Sequence, residues 1–168
     1  FNFPLDSGAQ TGMWHIRANT GDNQQRMWDF HVEDFMPERM ALNLTGQKTP
    51  VSPQDNVDFN VGGYYLYGAP ANGNSLQGQL FLRPLRDAVP ALPGFQFGDI
   101  AEENLSRSLD EVQLTLDEQG RGQVTTESQW KEAHSPLQLI LQASLLESGG
   151  RPVTRRVEQA IWPADALV

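Results

Sequence analysis

The residues able to do chemistry in this sequence are few and far apart. The three histidines are His15, His31 and His134, the side chains that titrate near neutral pH when unperturbed. His15 and His31 fall on the polar sides of stretches that alternate apolar and polar residues, and His134 falls in a turn beside Pro136, so all three are expected to be solvated. The triplet "HVE" sets His31 and Glu33 on one strand face, a spacing able to hold a metal, but no third ligand is recognisable nearby. No serine lies in a nucleophile-elbow context such as G-x-S-x-G. There is no cysteine, which removes a thiolate nucleophile, a thiolate metal site and a disulfide together. The carboxylates are scattered, as the default for a chain with 20% charged residues, and no pair identifies itself as an acid and base. Asn43 in "NLT" and Asn104 in "NLS" match the glycosylation sequon, a pattern too short to be specific. No catalytic residue, metal site or cofactor is expected.

The glycine-rich stretch "NVGGYYLYGAPANG", residues 60–73, holds four glycines and three tyrosines. A phosphate loop needs its glycines to open a helix whose first amides face the ligand, and this stretch alternates and then turns instead. Gly62 and Gly63 inside a strand pattern predict a bulge or a close backbone approach. In strand phase Tyr65 and Tyr67 share one face, and Tyr64 and Leu66 the other. Pro70, Asn72 and Gly73 then close a loop. Rings covering the end of a sandwich is the structural reading; tyrosines exposed to a partner is the functional one.

The surrounding pattern is of short strands. "MWHIRAN" and "MWDFHVEDF" alternate about the turn "TGDNQQ" and read as a hairpin. "MALNL", "VDFNV" and "LQGQLFLRPL" follow as strands, then "EVQLTL" with "QVTTES" and "PLQLILQASLL" with "VTRRVEQAIW" as two further hairpins. Alternation over short strands separated by Gly, Pro, Asn and Asp predicts an all-β antiparallel sandwich. One helix is expected, over 99–109, where Asp99 could cap and Ala101, Leu105 and Leu109 recur every fourth residue. It lies in a long connection, 83–111, expected to drape over a sheet edge.

Twelve basic against 21 acidic residues give a net charge of −9. Such a balance argues against nucleic acid and anionic membrane, whose phosphates are met by Lys and Arg. No apolar run approaches the ~20 residues of a membrane span, and no signal pattern opens the chain. Pro37 in "FMPER" cannot donate to a ladder and marks a boundary. Residues 1–36 supply only a hairpin, which is marginal alone, so they are expected to be the last strands of a preceding domain. Residues 37–163 then form a complete sandwich of about seven strands, and 164–168 begin a linker. The chain is expected to be a piece of something larger.

Two motifs together resemble a known family. "VEDFMPERMALNL", 32–44, is similar to the junction between successive macroglobulin-like domains, and "VGGYYLYGAPANG", 61–73, to a strand and turn of the following domain. "LPGFQFGD", 92–99, is similar to the form in bacterial members. The chain thus resembles bacterial α2-macroglobulins over about 10–163. The resemblance implies a macroglobulin-like β-sandwich acting as non-catalytic scaffold in a broad-spectrum endopeptidase inhibitor, which traps proteases once its bait region is cut. It implies target proteases as partners of the full-length protein, neighbouring domains as partners of this segment, and a periplasmic parent anchored by lipid to the inner membrane. The family's thioester cannot lie in a segment without cysteine, and no bait-like segment is evident, "AEENLSRSLDE" with Arg107 sitting mid-domain. Phe35, Pro37, Arg39, Tyr64, Tyr65 and Tyr67 are the candidate interdomain contacts. The alternatives are a sandwich binding module presenting its tyrosines to carbohydrate or protein, and a sandwich hydrolase, which would need a pocket of titratable groups.

Overall fold

A computed structural model of the chain describes residues 4–6, 8–19, 21, 24–33, 37–102 and 105–163. Among them are nine strands and no helix. The chain divides into two compact units, Phe1–Pro37 and Glu38–Val168.

In the first unit β1 (Gly12–Asn19) and β2 (Gln25–Val32) form the expected antiparallel hairpin. Trp14 lies opposite Phe30 and Ile16 opposite Trp28 on one face, with the Trp14 and Phe30 rings 6.3 Å apart and tilted. Met13 and Met27 join His15, Arg17, Asp29 and His31 on the other.

The second unit is the sandwich. One sheet has the order β3-β4-β7, from β3 (Met40–Thr45), β4 (Val57–Tyr65) and β7 (Arg121–Thr126). The other has the order β6-β5-β8-β9, from β5 (Ser75–Pro84), β6 (Arg107–Thr115), β8 (Leu137–Leu145) and β9 (Val153–Ile161). Alternate residues of each strand turn inward because side chains swap faces at every residue. Met40, Leu42, Val57, Phe59 and Val61 from the first sheet meet Leu76, Leu80, Leu82, Leu139, Leu141 and Leu145 from the second in one core. The C-terminal end of the β9 edge is covered: Val51 donates to Ala160 at 3.0 Å and accepts from Trp162 at 2.9 Å. The buried Gln159 side chain holds that covering loop, accepting the Gln47 amide at 2.7 Å and donating to the Thr49 carbonyl at 2.9 Å. Such cover blunts an edge that would otherwise template further pairing.

Three expectations are corrected. The helix over 99–109 is absent from the described residues. The Asp99 carboxylate accepts the Ala101 amide at 2.8 Å, a local side-chain turn rather than a helix cap, and the chain then enters β6 at Arg107. A four-residue recurrence is also a multiple of two, so Leu105 and Leu109 serve a sheet as well as a helix. Second, the bulge is not at Gly62–Gly63, where the register with β3 and β7 runs unbroken. It lies between β5 and β6, where Gln79 pairs Glu111 but Phe81 pairs Ser108. The extra β6 residue lets Leu109 and Val112, three apart, both pack on the core. Third, β6 and β7 are not a hairpin: β6 pairs with β5 and β7 with β4.

The close approach predicted for Gly63 is present. A Cβ there would lie 2.7 Å from Leu116 and 2.8 Å from Leu145 side-chain carbons. With no side chain, Gly63 donates to the Gly120 carbonyl at 2.7 Å and accepts from Ala71 at 3.0 Å. Three chain segments, β4, the β6–β7 turn and the loop after the tyrosines, are thereby laced together at one end of the sandwich.

Candidate functional site

The histidines are accounted for locally. His15 pairs with Asp29, directly opposite on β2, at 2.7 Å, and His31 with Glu33 at 3.0 Å, all four well exposed. Among the described residues no group of three or more His, Cys, Asp or Glu is placed to hold a metal ion. Asn43 sits exposed within β3, and Asn104 lies outside the described residues.

The long connections β5–β6 and β7–β8 meet at one end of the sandwich around an open groove of about 470 Å³. Its floor is Leu82, Leu105, Trp130 and Leu137, and Glu102 stands in its wall. Burial pushes the Glu102 pKa up. The Ser135 hydroxyl, the amides of His134 and Ser135 and the nearby imidazole outweigh it, leaving the carboxyl below its ordinary value. Glu102 therefore stays ionised and acts as a loop brace, accepting the His134 amide at 3.0 Å. A general acid would need the opposite shift. Among the described residues, the buried Trp130 Nε1 has no hydrogen-bond partner.

At the opposite end the structure gathers four of the six candidate contact residues. Tyr65 pairs with Met40 and Tyr64 with Ala41, which brings Arg39 alongside, its carbonyl accepting the Leu66 amide at 2.9 Å. A tight turn follows, closed by Gly68 donating to Tyr65 and by Tyr65 donating to Ala69, both at 2.8 Å. The turn stacks the Tyr65 and Tyr67 rings, 5.1 Å between centroids, as strand phase predicts. Tyr65 packs on the core, whereas Tyr64, Leu66 and Tyr67 are exposed, Tyr67 by 78%. Arg39 reaches the nearly buried Glu147 carboxylate at 3.2 Å, and Glu38 meets Arg155 at 3.2 Å. These two pairs tie the first residues of the sandwich to the β8–β9 hairpin, a tie not evident from the sequence because the partners are more than 100 positions apart. Pro37 is exposed at the end of the first unit, and Phe35 lies outside the described residues. The arrangement presents an aromatic tip on a hydrogen-bonded turn, suited to packing.

The sequence profile of the bacterial alpha-2-macroglobulin MG5 domain matches residues 38–163. The chain belongs to the bacterial α2-macroglobulin family. It is 83% identical to alpha-2-macroglobulin of Escherichia coli K12, over 99% of this chain and 10% of that protein. Against the native conformation of E. coli alpha-2-macroglobulin the TM-score is 0.84 at 83% identity, again over 99% of this chain and 10% of that one. Against the trypsin-activated E. coli protein it is 0.78 at 83% identity, over 99% and 12%. The chain thus spans about a tenth of the length of the α2-macroglobulins it matches, and its sandwich is one macroglobulin-like domain of that family.

Proposed function

We propose that this chain is a scaffold segment of a bacterial α2-macroglobulin, an inhibitor that traps endopeptidases after its bait region is cut, and that the segment does no chemistry itself. The observation that carries the reading is that 99% of this chain matches, at 83% identity, a segment making up 12% of the trypsin-activated E. coli alpha-2-macroglobulin. Target proteases would be partners of the full-length protein, and neighbouring domains the partners of this segment. The thioester and bait would lie elsewhere in the parent, and the parent would be periplasmic and held to the inner membrane by lipid. In this reading residues 1–36 close a preceding domain, and the Tyr64–Tyr67 turn, Arg39 and the Pro37 junction hold domains in the arrangement that precedes cleavage. Contacts of this kind are modest in area, so single truncations should register.

Tyr67→Ala and Pro37→Gly in the full-length parent test the reading. The expected result is a looser solution scattering profile and weaker protease trapping for each. Unchanged scattering and trapping in both variants would refute the contact role. Glycan binding by the chain, lost on replacing Tyr64 or Tyr65, would instead support a binding module.

A further inference from the structure

The strongly exposed large apolar side chains described in the sandwich unit fall in two places. Tyr64, Leu66 and Tyr67 form the aromatic turn; Leu92, Phe95 and Ile100 lie in the β5–β6 connection. The strand β5 runs from one place to the other, ten residues or roughly 33 Å at the rise of an extended strand. The two apolar patches thus sit at opposite ends of the sandwich.

The second patch is held as a built feature. Arg86 donates to the Phe97 and Asp99 carbonyls at 3.3 and 3.1 Å, and its own carbonyl accepts the Phe97 amide at 2.9 Å. Asp99 donates to the buried Ser135 hydroxyl at 2.9 Å. Above this latch two successive turns, Leu92 to Val89 at 3.0 Å and Phe95 to Leu92 at 3.3 Å, shape the tip. Residues 90–96 are all exposed, with Phe95 63% and Ile100, just beyond the latch, 83% accessible. Residues 88–98 are eleven in a row without a charge, in a chain with 20% charged residues. A latched, uncharged loop presenting Leu and Phe marks an interaction site.

We propose that the loop 88–100 is a second contact surface, packing its tip against an uncharged apolar face of another domain of the same parent chain. The occupant follows from the chain itself: nine-tenths of a matching relative lies outside these residues, and a net charge of −9 disfavours an anionic bilayer. The proposal rests on the scaffold reading and adds to it a second docked end, making the sandwich a link engaged at both ends of its strands.

Hydrogen exchange on the chain alone and on the full-length parent tests it. Ala91, Gly94 and Gln96 donate no hydrogen bond among the described residues, so their exchange reports cover by a partner. The expected result is exchange slower by about tenfold or more in the parent. Phe95→Ser with Ile100→Ser in the parent should restore fast exchange in the loop and leave the β5 and β8 amides unchanged. Equal exchange in both proteins would overturn the proposal. So would protection in the chain alone that grows with its concentration, which would name a second copy as occupant, or protection only with phosphatidylcholine vesicles, which would name lipid. Protease trapping by the same parent separates the two failures: intact trapping with an exposed loop refutes this surface while leaving the scaffold reading in place.

Discussion

Gly120 and Gly149 share a left-handed backbone, φ +70° and +69°, and differ in what surrounds them. A Cβ on Gly149 would meet nothing within 4 Å, whereas one on Gly120 would lie 2.2 Å from the Gly63 carbonyl oxygen and 2.9 Å from the Ala71 nitrogen. Gly149→Ala should therefore cost only left-handed strain, roughly 1–2 kcal/mol. Loss of unfolded-chain freedom offsets about 0.4–1 kcal/mol of that. Gly120→Ala carries the same strain and must also push the Gly63 carbonyl away. That opens the Gly63-to-Gly120 and Ala71-to-Gly63 hydrogen bonds, each about 1 kcal/mol net and more where a group is left unpaired inside. With the same unfolded-chain offset the total is roughly 2–4 kcal/mol. With a urea slope of about 2 kcal/mol per molar, Gly120→Ala lowers the unfolding midpoint by ~1–2 M and Gly149→Ala by ~0.5 M. Urea titration followed by far-ultraviolet circular dichroism reads both. A Gly120→Ala midpoint no lower than that of Gly149→Ala would refute the claim that lacing to Gly63, beyond backbone handedness, makes glycine necessary.

The lowered Glu102 pKa has a pH consequence. Its contribution to stability is present in full above the ordinary value of 4.5 and is lost as pH falls through the lowered folded value. Glu102→Gln should therefore flatten the acid limb of a urea-midpoint-against-pH curve, and an unchanged limb would remove Glu102 as a brace. Tyr67→Ala in the chain alone should cost less than about 1 kcal/mol, the value of one exposed stacked pair, so any large effect in the parent is interdomain; a large loss in the chain alone would make the residue a structural one. A double-mutant cycle on Arg39 and Glu147 should give a coupling of roughly 0.2–1 kcal/mol that shrinks with added salt. A salt-independent coupling would point to packing of the arginine stem instead.

The sandwich strands other than β6 were legible in the sequence because the inward residues recur at every second position, as in Leu76, Leu80 and Leu82 or Leu137, Leu139 and Leu141; of β6 only the second half was. Pairing was less legible. The turn "DEQGRG" carries ordinary hairpin chemistry: the Asp117 carboxylate accepts the Gln119 and Arg121 amides at 2.9 and 2.8 Å, and the Asp117 amide donates to Arg121 at 2.9 Å. Yet Leu116 already exchanges hydrogen bonds with Gly73 and Asn74, beside β5, while Gly120 accepts from Gly63 on β4. The two strands leave one tight turn for different sheets, and that choice is set by contacts more than 40 residues away. The 99–109 segment failed for the reason that Leu105 and Leu109 satisfy both periods, and only the β6 bulge, invisible in the sequence, brings Leu109 into phase with the core. The tyrosine turn was legible in phase and position; its anchoring through Arg39 and Glu147 was not.

The distribution of polar side chains says how such a domain can be used. The outer face of the four-stranded sheet carries hydrogen bonds that run across the strands: Arg83 to Gln138 at 2.7 Å, Gln138 on to Glu158, and Ser144 to Thr154 at 2.7 Å. Arg83 and Arg156 both pair with Glu158. Partners already satisfied within the sheet give a neighbour little to gain by covering it, since any hydrogen bond it offers must replace one already made. The two strand ends are the reverse, with apolar side chains held out on latched backbone whose ordering cost is already met within the domain. Under the proposed contacts, docking at the ends rather than the faces would set a neighbour's position along the strand axis. A shift at one end would then reach the other through the close-packed core, which is what a scaffold must do if cleavage at one place is to rearrange domains at another.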